Sequence, residues 1–332
     1  MINYGYACIN LELRKQKITT NRGMIRRTFD AKGLPYVSEI AIKNLVDQLK
    51  VVQWNVDNGI KLYRMSGSLF PWMSEYEFHE LPEYDTIKSI LAETGKLAMD
   101  NGQRLSFHPG QFCVLCSPTP KTVDNAIVEL DRHSQIMDMM KLPVSPMAKI
   151  NIHVGGAYGD KESALKRWCE NYKRLEPNTQ KRLVVENDDK ASMYSVKDLY
   201  EGIYKKIGVP ITFDYYHHKF CTGGMTEEEA LKLAASTWPK GIKPCTHYSE
   251  SRRNEQKLMM EQICERNDIP FTALEETPDE WPTLSKYLKD FKKTKEQAHS
   301  DYILEKPDCY GLDIDCVVEA KAKEQSIINF IN

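Results

Sequence analysis

The sequence lacks the features of a membrane-embedded or exported protein. No apolar run approaches the ~18 residues that a membrane-spanning helix requires. The first residues, Met1-Ile-Asn-Tyr-Gly-Tyr, contain neither the basic nor the apolar segment of a secretion signal. We therefore expect an intracellular protein, of the cytoplasm, nucleoid or nucleus, that acts without a membrane. The net charge is only −2, so a surface for nucleic acid would have to be a local basic patch.

Disulfide, zinc-finger and nucleotide-binding patterns are also missing. The nine cysteines have no regular spacing, and the lone CxxC, Cys113-Val-Leu-Cys116, has no second pair to complete a four-thiolate zinc site. Reduced, mostly structural thiols are therefore expected. Neither GxGxxG nor GxxxxGKS/T opens a helix, so no nucleotide cofactor is expected. No internal repeat or flexible linker interrupts the chain, which predicts a single domain over residues 1–332.

What the sequence does contain is an alternation of short apolar runs with amphipathic segments of helical length. The predicted strands lie near 3–9, 60–66, 103–108, 148–153, 182–187, 210–214, 243–247 and 314–319. The helical patterns lie near 38–55, 85–101, 122–141, 161–175, 195–206 and 226–236. This alternation is typical of a (β/α)8 TIM barrel, an α/β fold, and a doubly wound open sheet is the alternative. The charged stretch 252–297 is predicted to be an insertion before the last strand.

Histidines and carboxylates stand where the predicted strands end. These residues are His108, His153, Glu186, Asp214, His217, His247 and Glu319. A lone histidine of this kind is more often structural, but in a barrel all these positions meet at one face. Buried carboxylates are costly without partners, and divalent cations would offset that cost. Imidazole and carboxylate ligands without thiolate suit manganese, zinc or iron(II), and their number predicts two or three ions bridged by a carboxylate.

These residues, in this order, resemble the ultraviolet damage endonuclease family. The resemblance covers about residues 3 to 325, apart from the insertion. Its motifs are Gly5-Tyr-Ala-Cys-Ile-Asn10, Tyr63-Arg-Met-Ser-Gly-Ser-Leu-Phe-Pro71, Ser106-Phe-His-Pro-Gly-Gln-Phe112, Asn151-Ile-His-Val-Gly-Gly156, Val185-Glu-Asn-Asp188, Phe213-Asp-Tyr-Tyr-His-His218, Thr246-His-Tyr-Ser249, Ala298-His-Ser-Asp-Tyr302 and Val318-Glu-Ala-Lys321. Each motif is weak alone, but the combination is specific.

The resemblance implies a metal-dependent enzyme that nicks damaged double-stranded DNA. Cleavage would fall immediately 5′ to ultraviolet photoproducts, both cyclobutane dimers and 6-4 photoproducts, and would leave a 3′-hydroxyl and a 5′-phosphate. Abasic sites would be further substrates. The implied ligands of a trinuclear site are His108, His153, Glu186, Asp214, His217, His247, His299 and Glu319. Glu186 would be the catalytic bridging carboxylate. Mn²⁺ is the first candidate ion, with Zn²⁺, Mg²⁺ or iron as alternatives, and a monomer is expected.

The resemblance also implies residues that meet the lesion. Gln111 and Phe112 match a pair that wedges into the duplex, where an aromatic ring can stack and an amide can bind base edges. Tyr6 and Asn10 match positions near the lesion. The alternative for Phe112 is a place in the core, and for Tyr6 it is packing within the barrel.

Positive charge for the DNA backbone is concentrated after the first strand. The candidate phosphate contacts are Arg14, Lys15, Lys17, Arg22, Arg26 and Arg27. An ordinary solvated loop has the same composition. Arg252-Arg253, after the seventh strand, is a second candidate.

One position departs from the family pattern. Some relatives carry a chemically modified lysine, close to the metals, two residues before the histidine that matches His247. Here Cys245 has that spacing, and Lys243 lies two residues earlier. Either the local alignment differs, or the site lacks this group, or a thiolate binds a metal instead.

Three other functions remain open from the sequence. The first is an abasic-site endonuclease of the endonuclease IV type, on the same fold with the same metals. The second is a metal-dependent TIM-barrel sugar isomerase, which would gain nothing from Gln111 and Phe112. The third is a lesion-binding protein that has lost its metals, against which the nearly complete ligand set argues.

Overall fold

Short parallel strands alternate with helices in the computed structural model, which describes residues 2–271 and 282–328. The strands are β1 (Asn3–Ala7), β2 (Leu62–Arg64), β3 (Arg104–Ser106), β4 (Ile150–His153), β5 (Leu183–Glu186), β6 (Ile211–Thr212), β7 (Cys245–Tyr248) and β8 (Asp315–Val318). The predicted strand positions are confirmed, although each strand is shorter than its apolar run or slightly displaced from it.

Helices follow most of the strands. They are α1 (Leu11–Lys15), α2 (Arg26–Asp57), α3 (Tyr84–Asp100), α4 (Pro120–Met139), α5 (Lys161–Tyr172), α6 (Pro177–Arg182), α7 (Val196–Leu199), α8 (Lys205–Ile207), α9 (Tyr215–His218), α10 (Glu227–Ser236), α11 (Arg252–Arg266) and α12 (Pro282–Lys293). A π-helical turn (Tyr200–Tyr204) joins α7 to α8, and 3₁₀ turns lie at Met73–Glu75, Phe78–Glu80, Pro146–Ala148 and Lys323–Ser326. No helix among the described residues is long and apolar enough to cross a bilayer.

The strands form two parallel sheets, ordered β3-β2-β1-β8-β7 and β4-β5-β6. Single bridges lie where the edges of the two sheets meet, between Phe107 and Ile150 and between Asp214 and His247. Parallel pairing brings all carboxyl ends to one face, and in the β4–β5 register His153 lies directly beside Glu186. The α/β class and the parallel sheet are therefore confirmed.

The two sheets share an apolar interior. Residues from β1, β2 and β8 pack there with Val184 of β5 and Cys245 of β7, and all of them are buried. At the amino-terminal ends of the strands, Arg104 forms a buried ion pair with Asp315 (2.9 Å) and donates to main-chain carbonyls. The candidate ligands lie at the other, carboxyl-terminal ends of the strands.

The longest helix, α2, contains a kink. Gly33 has φ of 59° and ψ of −158°, and Pro35 follows in the next turn, so two helical segments meet there. The predicted helix 38–55 forms the second segment and packs mainly against α3. Its buried face includes polar residues such as Asn44, which donates to the carbonyls of Arg22 and Leu69 and so holds the loops after β1 and β2.

The predicted insertion corresponds to α11, α12 and the residues between and after them. Residues 272–281 lie outside the described residues. The two helices pack on a small apolar core of their own, formed by Met260, Cys264, Ile269, Leu284 and Leu288 with Ile263, Phe271 and Phe291.

Candidate metal centre

The carboxyl ends of the strands bring two groups of candidate ligands together. One group is His108, His153 and Glu186, and the other is Glu186, Asp214, His247 and Glu319; within each group the ligand atoms lie within 4.8 Å of one another. Glu186 belongs to both groups. Residues far apart in the chain therefore converge on one carboxylate.

Glu186 is the last residue of β5 and is fully buried. Its Oε2 lies 3.1 Å from Nε2 of His108, and its Oε1 lies 3.0 Å from Nδ1 of His247. The side-chain amide of Asn151, on the neighbouring strand β4, also donates to Oε2. The two oxygens thus face different partners, as a bridging carboxylate requires.

Four of the histidines have Nδ1 beside an oxygen atom that can accept a hydrogen bond. The Nδ1 atoms of His108, His217 and His299 lie 2.9–3.1 Å from the carbonyl oxygens of Pro109, Asn187 and Glu319. Nδ1 of His153 lies 3.2 Å from Oδ1 of Asp188. An Nδ1–H that donates to an oxygen leaves Nε2 with its lone pair, which is the arrangement of metal-binding histidines.

His247 is oriented the other way. Its Nδ1 faces Glu186 and, at 3.2 Å, Oε1 of Glu319, whereas its Nε2 lies 3.0 Å from Nζ of Lys149. Lys149 is fully buried and also donates to Thr212 (3.2 Å). Burial lowers the pKa of this lysine. The ammonium or amine of Lys149 therefore sets the position of the His247 ring from below the centre.

Asp214 and His217 come from the turn that follows β6. Asp214 caps α9, because its Oδ1 accepts from the main-chain N–H of His217 (2.8 Å). Its Oδ2 is buried and has no hydrogen-bond partner among the described residues. Burial raises the pKa of Asp214 to about 7. An orphaned carboxylate oxygen that faces other ligands is the kind of atom that a cation would satisfy.

His299 is brought to the centre from outside the strands. It lies after α12, where an antiparallel bridge joins it to Ser251, and its Nδ1 lies 3.7 Å from Oε2 of Glu319. Glu319 follows β8 and forms an ion pair with Arg64 of β2. Arg64 thus offsets part of the negative charge at this side of the site.

Charges within the centre are strongly coupled. Burial opposes ionisation of Glu186, but the imidazoles of His247 and His153 hold the pKa of Glu186 well below its usual range. Burial also opposes the charged form of His153, yet the carboxylates of Glu186 and Asp188 raise its pKa to about 10. The proton on His153 thus occupies the place of a cation, and the donor set fits divalent ions with nitrogen and oxygen preference.

A groove of about 1250 Å³ opens above the two ligand groups. His108, His153, His217 and Glu319 contribute to its lining. Gln111 and Phe112 lie at the tip of a turn in its wall, closed by the bond from the N–H of Cys113 to the carbonyl of Gly110 (2.9 Å). The Phe112 side chain is 81% exposed. A place for Phe112 in the core is therefore excluded.

Comparisons with known proteins identify relatives over the whole chain. The family model for UV-endonuclease UvdE matches residues 2–332. The UV-damage endonuclease of Schizosaccharomyces pombe is 32% identical over 97% of this chain and 49% of its own length. The UV DNA damage endonuclease of Bacillus pumilus is 32% identical over 87% of this chain and 79% of its own length.

The chain belongs to the UV-endonuclease UvdE family.

Among solved structures, the crystal structure of SacUVDE superposes with a TM-score of 0.77 at 27% identity, over 100% of this chain and 97% of that one. Endonuclease IV from Thermus thermophilus has a TM-score of 0.52 at 8% identity, over 98% of this chain and 94% of that one, which shows a shared fold only. The chain spans about half the length of the S. pombe relative. The resemblance stated from the sequence is thus confirmed for the family.

Not every residue that the UvdE resemblance suggests for DNA lies in the groove. Tyr6 and Asn10 are buried and bonded to each other, with Asn10 Nδ2 3.0 Å from Tyr6 Oη. Tyr6 also donates to Asn55 (2.7 Å), and Asn10 caps α1 through Leu13. In this structure they support the end of β1, which for Tyr6 agrees with the packing alternative, and the contact of both residues with a lesion stays a prediction.

The residues predicted to contact phosphates differ in whether their side chains already form ion pairs within the chain. Arg22 is committed to Asp47 (2.7 Å) and to main-chain carbonyls, and Lys15 pairs with Glu12. Arg26 pairs with Asp30 and with Glu75, which lines the groove. The side chains of Arg14, Lys17 and Arg27 are exposed. The role of this set in DNA binding also stays a prediction.

The two residues at the departure from the family pattern lie outside both ligand groups. Cys245 is buried in the apolar interior and belongs to neither ligand group. Lys243 lies at the opposite end of β7, paired with Asp313 (2.8 Å). Instead, Lys149 of the segment before β4 reaches His247. Sequence reasoning missed Lys149, and it assigned no role to Asn151, Asp188 or Arg64 although each stands in a motif of the resemblance.

Proposed function

We propose that this chain is a DNA repair endonuclease that nicks the backbone immediately 5′ to ultraviolet photoproducts, leaving a 3′-hydroxyl and a 5′-phosphate. Its substrate would be damaged double-stranded DNA, including cyclobutane dimers, 6-4 photoproducts and abasic sites. Membership of the UvdE family supports the reaction class. An intracellular location and action as a monomer are parts of the same proposal.

One observation carries this proposal. Two ligand groups share Glu186 at the floor of a groove whose wall presents an exposed aromatic ring, Phe112. A multi-metal centre alone would suit several hydrolases and isomerases. An exposed phenyl ring beside a buried carboxylate-and-imidazole centre can stack where bases have separated, which suits a nuclease for damaged DNA.

The ligand groups suggest which residues would hold the ions. His108, His153 and Glu186 would hold one, and Glu186, Asp214, His247 and Glu319 another, with His217 and His299 at the edge of the set. Two or three bound divalent ions, with Mn²⁺ first among the candidates, would supply Lewis acidity to the phosphodiester and lower the pKa of a water molecule.

The remaining chemistry belongs to the chain itself. Glu186 holds the two groups together through its two oxygens, and Asn151 and His108 fix its orientation. Gln111 and Phe112 fill the gap left by bases that separate at a weakly stacked lesion, so selection would follow the ease of deformation rather than base sequence. The imidazoles are oriented by main-chain carbonyls before any ligand arrives, which lowers the cost of ordering.

The two sheets are proposed to close into one (β/α)8 barrel, with the helices α11 and α12 inserted before β8 and the whole of 1–332 as one domain. The two single bridges between the sheets and the interior shared by β5, β7 and β8 support this closure.

The direct test is an end-labelled duplex that carries one photoproduct, incubated with the protein and Mn²⁺, with the nick mapped to the nucleotide. A cut 5′ to the lesion is expected, and undamaged duplex should stay intact. A parallel duplex with an abasic site measures the rival activity of the endonuclease IV type. Cutting of the abasic duplex alone would replace the proposal by that rival.

Glu186→Gln tests the shared carboxylate. The variant keeps the volume but loses the charge that both ligand groups share, so nicking should fall by roughly 10³-fold or more, while binding of the lesion duplex in a gel shift persists. Glu228→Gln, on the surface of α10, is the matched control and should nick normally. Undiminished nicking by Glu186→Gln would refute the assignment of the centre.

A further inference from the structure

The inserted helix α12 has an unusually basic exposed face. Residues 282–295 contain five lysines and one aspartate, in a chain whose net charge is −2. Leu284, Leu288 and Phe291 face the small core shared with α11. Lys286, Lys289 and Lys293, spaced by three and four positions, are exposed and lie on the opposite side of the helix.

Some lysines on other helices of this chain are neutralised locally. Lys43 pairs with Glu39, Lys232 with Glu228 and Lys257 with Glu261, each four positions away. This spacing is the usual way in which a helix offsets its own charge.

Lys286, Lys289 and Lys293 form no such pair among the residues that the structure describes. Lys289 and Lys293 stand four positions apart and repel each other. Asp290 stands four positions after Lys286, but no ion pair joins them among the residues that the structure describes. The helix dipole favours cations in the last turn, which accounts for Lys293 but not for Lys286 or Lys289. Like charges at this spacing cost stability unless an anionic partner offsets them.

The base of the α11–α12 hairpin is fastened to the metal centre. The N–H of Arg252 donates to the carbonyl of Ala298 (2.9 Å), and Ser251 bridges to the candidate ligand His299. Arg253 forms an ion pair with Glu296 and lies over the ring of Phe291, 4.7 Å from its centroid. The chain thus passes from the basic helix to a ligand within six residues of Lys293.

We propose that the basic face of α12 binds the phosphate backbone of the duplex beside the lesion and so acts as a DNA-contact arm. The proposal rests on the DNA substrate of the proposed function. Twelve helical residues extend ~18 Å, which corresponds to about five base pairs at 3.4 Å per step. The arm therefore contacts flanking duplex and leaves the choice of lesion to the groove.

The test compares three variants of the full chain. In the first, Lys286→Gln, Lys289→Gln and Lys293→Gln are combined; in the second, the same lysines become arginine. The matched control combines Lys181→Gln, Lys206→Gln and Lys240→Gln, three exposed lysines that precede β5, β6 and β7 and so lie at the opposite end of the strands. Binding to a lesion duplex is measured with chelator at a series of salt concentrations, and nicking is measured separately with Mn²⁺.

On a long duplex the glutamine variant should bind roughly tenfold or more weakly, and its slope of log affinity against log salt should fall by about 2–3. The arginine variant and the control should keep the wild-type slope. On a duplex with fewer than about five base pairs on both sides of the lesion, wild type and glutamine variant should bind alike. Nick position should be the same for all variants.

Two results would contradict DNA binding by α12. One is an unchanged salt slope for the glutamine variant on the long duplex, and the other is an equal loss of affinity in the control. Failure of the wild-type protein to nick any lesion duplex, with normal salt-dependent binding, would overturn only the proposed function. Absence of DNA binding by the wild type would overturn both.

Discussion

At the scale of single residues, the surroundings of three histidines fix the direction in which Nδ1 of each ring points. His108, His217 and His299 each direct Nδ1 to a main-chain carbonyl. A carbonyl can only accept, so each Nδ1 carries a proton, and a metal ion would bind Nε2 once that nitrogen has no proton of its own. His247 has no such carbonyl and depends on Lys149 instead. Lys149 is therefore the residue that holds the His247 ring in position within the group of Glu186, Asp214, His247 and Glu319.

Lys149→Met should separate metal affinity from folding. Loss of the partner of His247 Nε2 is expected to weaken Mn²⁺ binding by about 10–100-fold, the usual effect of removing a group that orients a ligand. The protein should still fold, because methionine fills similar volume in a buried site. Mn²⁺ affinity by titration calorimetry and a thermal melt of the metal-free protein measure the two quantities.

Lys243→Met is the control, since it removes an ammonium paired with Asp313 at the far end of β7. It should leave Mn²⁺ affinity unchanged. Equal affinity for the two variants would show that Lys149 does not position His247.

At the scale of elements, the site depends on the turns that follow the strands. The turn after β4 passes close beneath the loop that bears Phe112, and Gly155 allows this approach. Its φ is 103°, and an added Cβ would lie 2.6 Å from Cγ1 of Val114 and 3.1 Å from Sγ of Cys116. The glycine is thus required both by its backbone conformation and by the neighbouring loop.

Gly155→Ala should lower the free energy of unfolding by about 2–5 kcal/mol, because backbone strain and overpacking add. Val114 would have to move, so nicking should weaken together with stability. Urea denaturation measures the first effect and nicking kinetics the second. Gly102→Ala is the control: its φ is 63° but nothing lies within 4 Å, so only about 1–2 kcal/mol is expected. Similar losses for the two would contradict a packing role for Gly155.

At the scale of the whole molecule, folding concentrates titratable groups that must lose protons before they can bind metal. Burial raises the pKa of Asp214 to about 7, and neighbouring carboxylates raise that of His153 to about 10. Below pH 7 both groups therefore carry protons in the metal-free protein. Between pH 7 and 10 His153 keeps its proton, and the carboxylates of Asp214 and Glu186 raise the pKa of His217 as well.

Mn²⁺ binding should accordingly release protons, and its affinity should fall as the pH falls. The expected loss is at least about tenfold per pH unit above pH 7, and it becomes steeper by about another tenfold per unit below pH 7, where Asp214 is protonated too. Calorimetry in buffers of different ionisation enthalpy counts the protons. Asp214→Asn should bind more weakly and lack the steeper dependence below pH 7. An affinity independent of pH between 6 and 8 would contradict these protonation states.

Mn²⁺ should also raise the melting temperature, because it binds the folded chain and not the dispersed ligands. Thermal melts with and without the ion measure this shift.

Much of the fold and of the ligand set could be predicted from local pattern. Apolar runs that end in His108, His153 or Glu186 marked strands, and parallel strands place their carboxyl ends at one face whatever the details of packing. His299 needed the family resemblance, because it lies in a charged stretch and no periodicity marks it. The family could also be identified from the sequence, because its motifs are short segments around the strand ends.

Tertiary structure alone decided which side chains face the groove and which support it. Tyr6 and Phe112 are both aromatic residues near strand ends, yet one is buried and bonded to Asn55 while the other is exposed at a turn. Lys149 reaches His247 across 98 positions of sequence. Such contacts depend on how strands distant in the chain are packed, and no local pattern of residues encodes that.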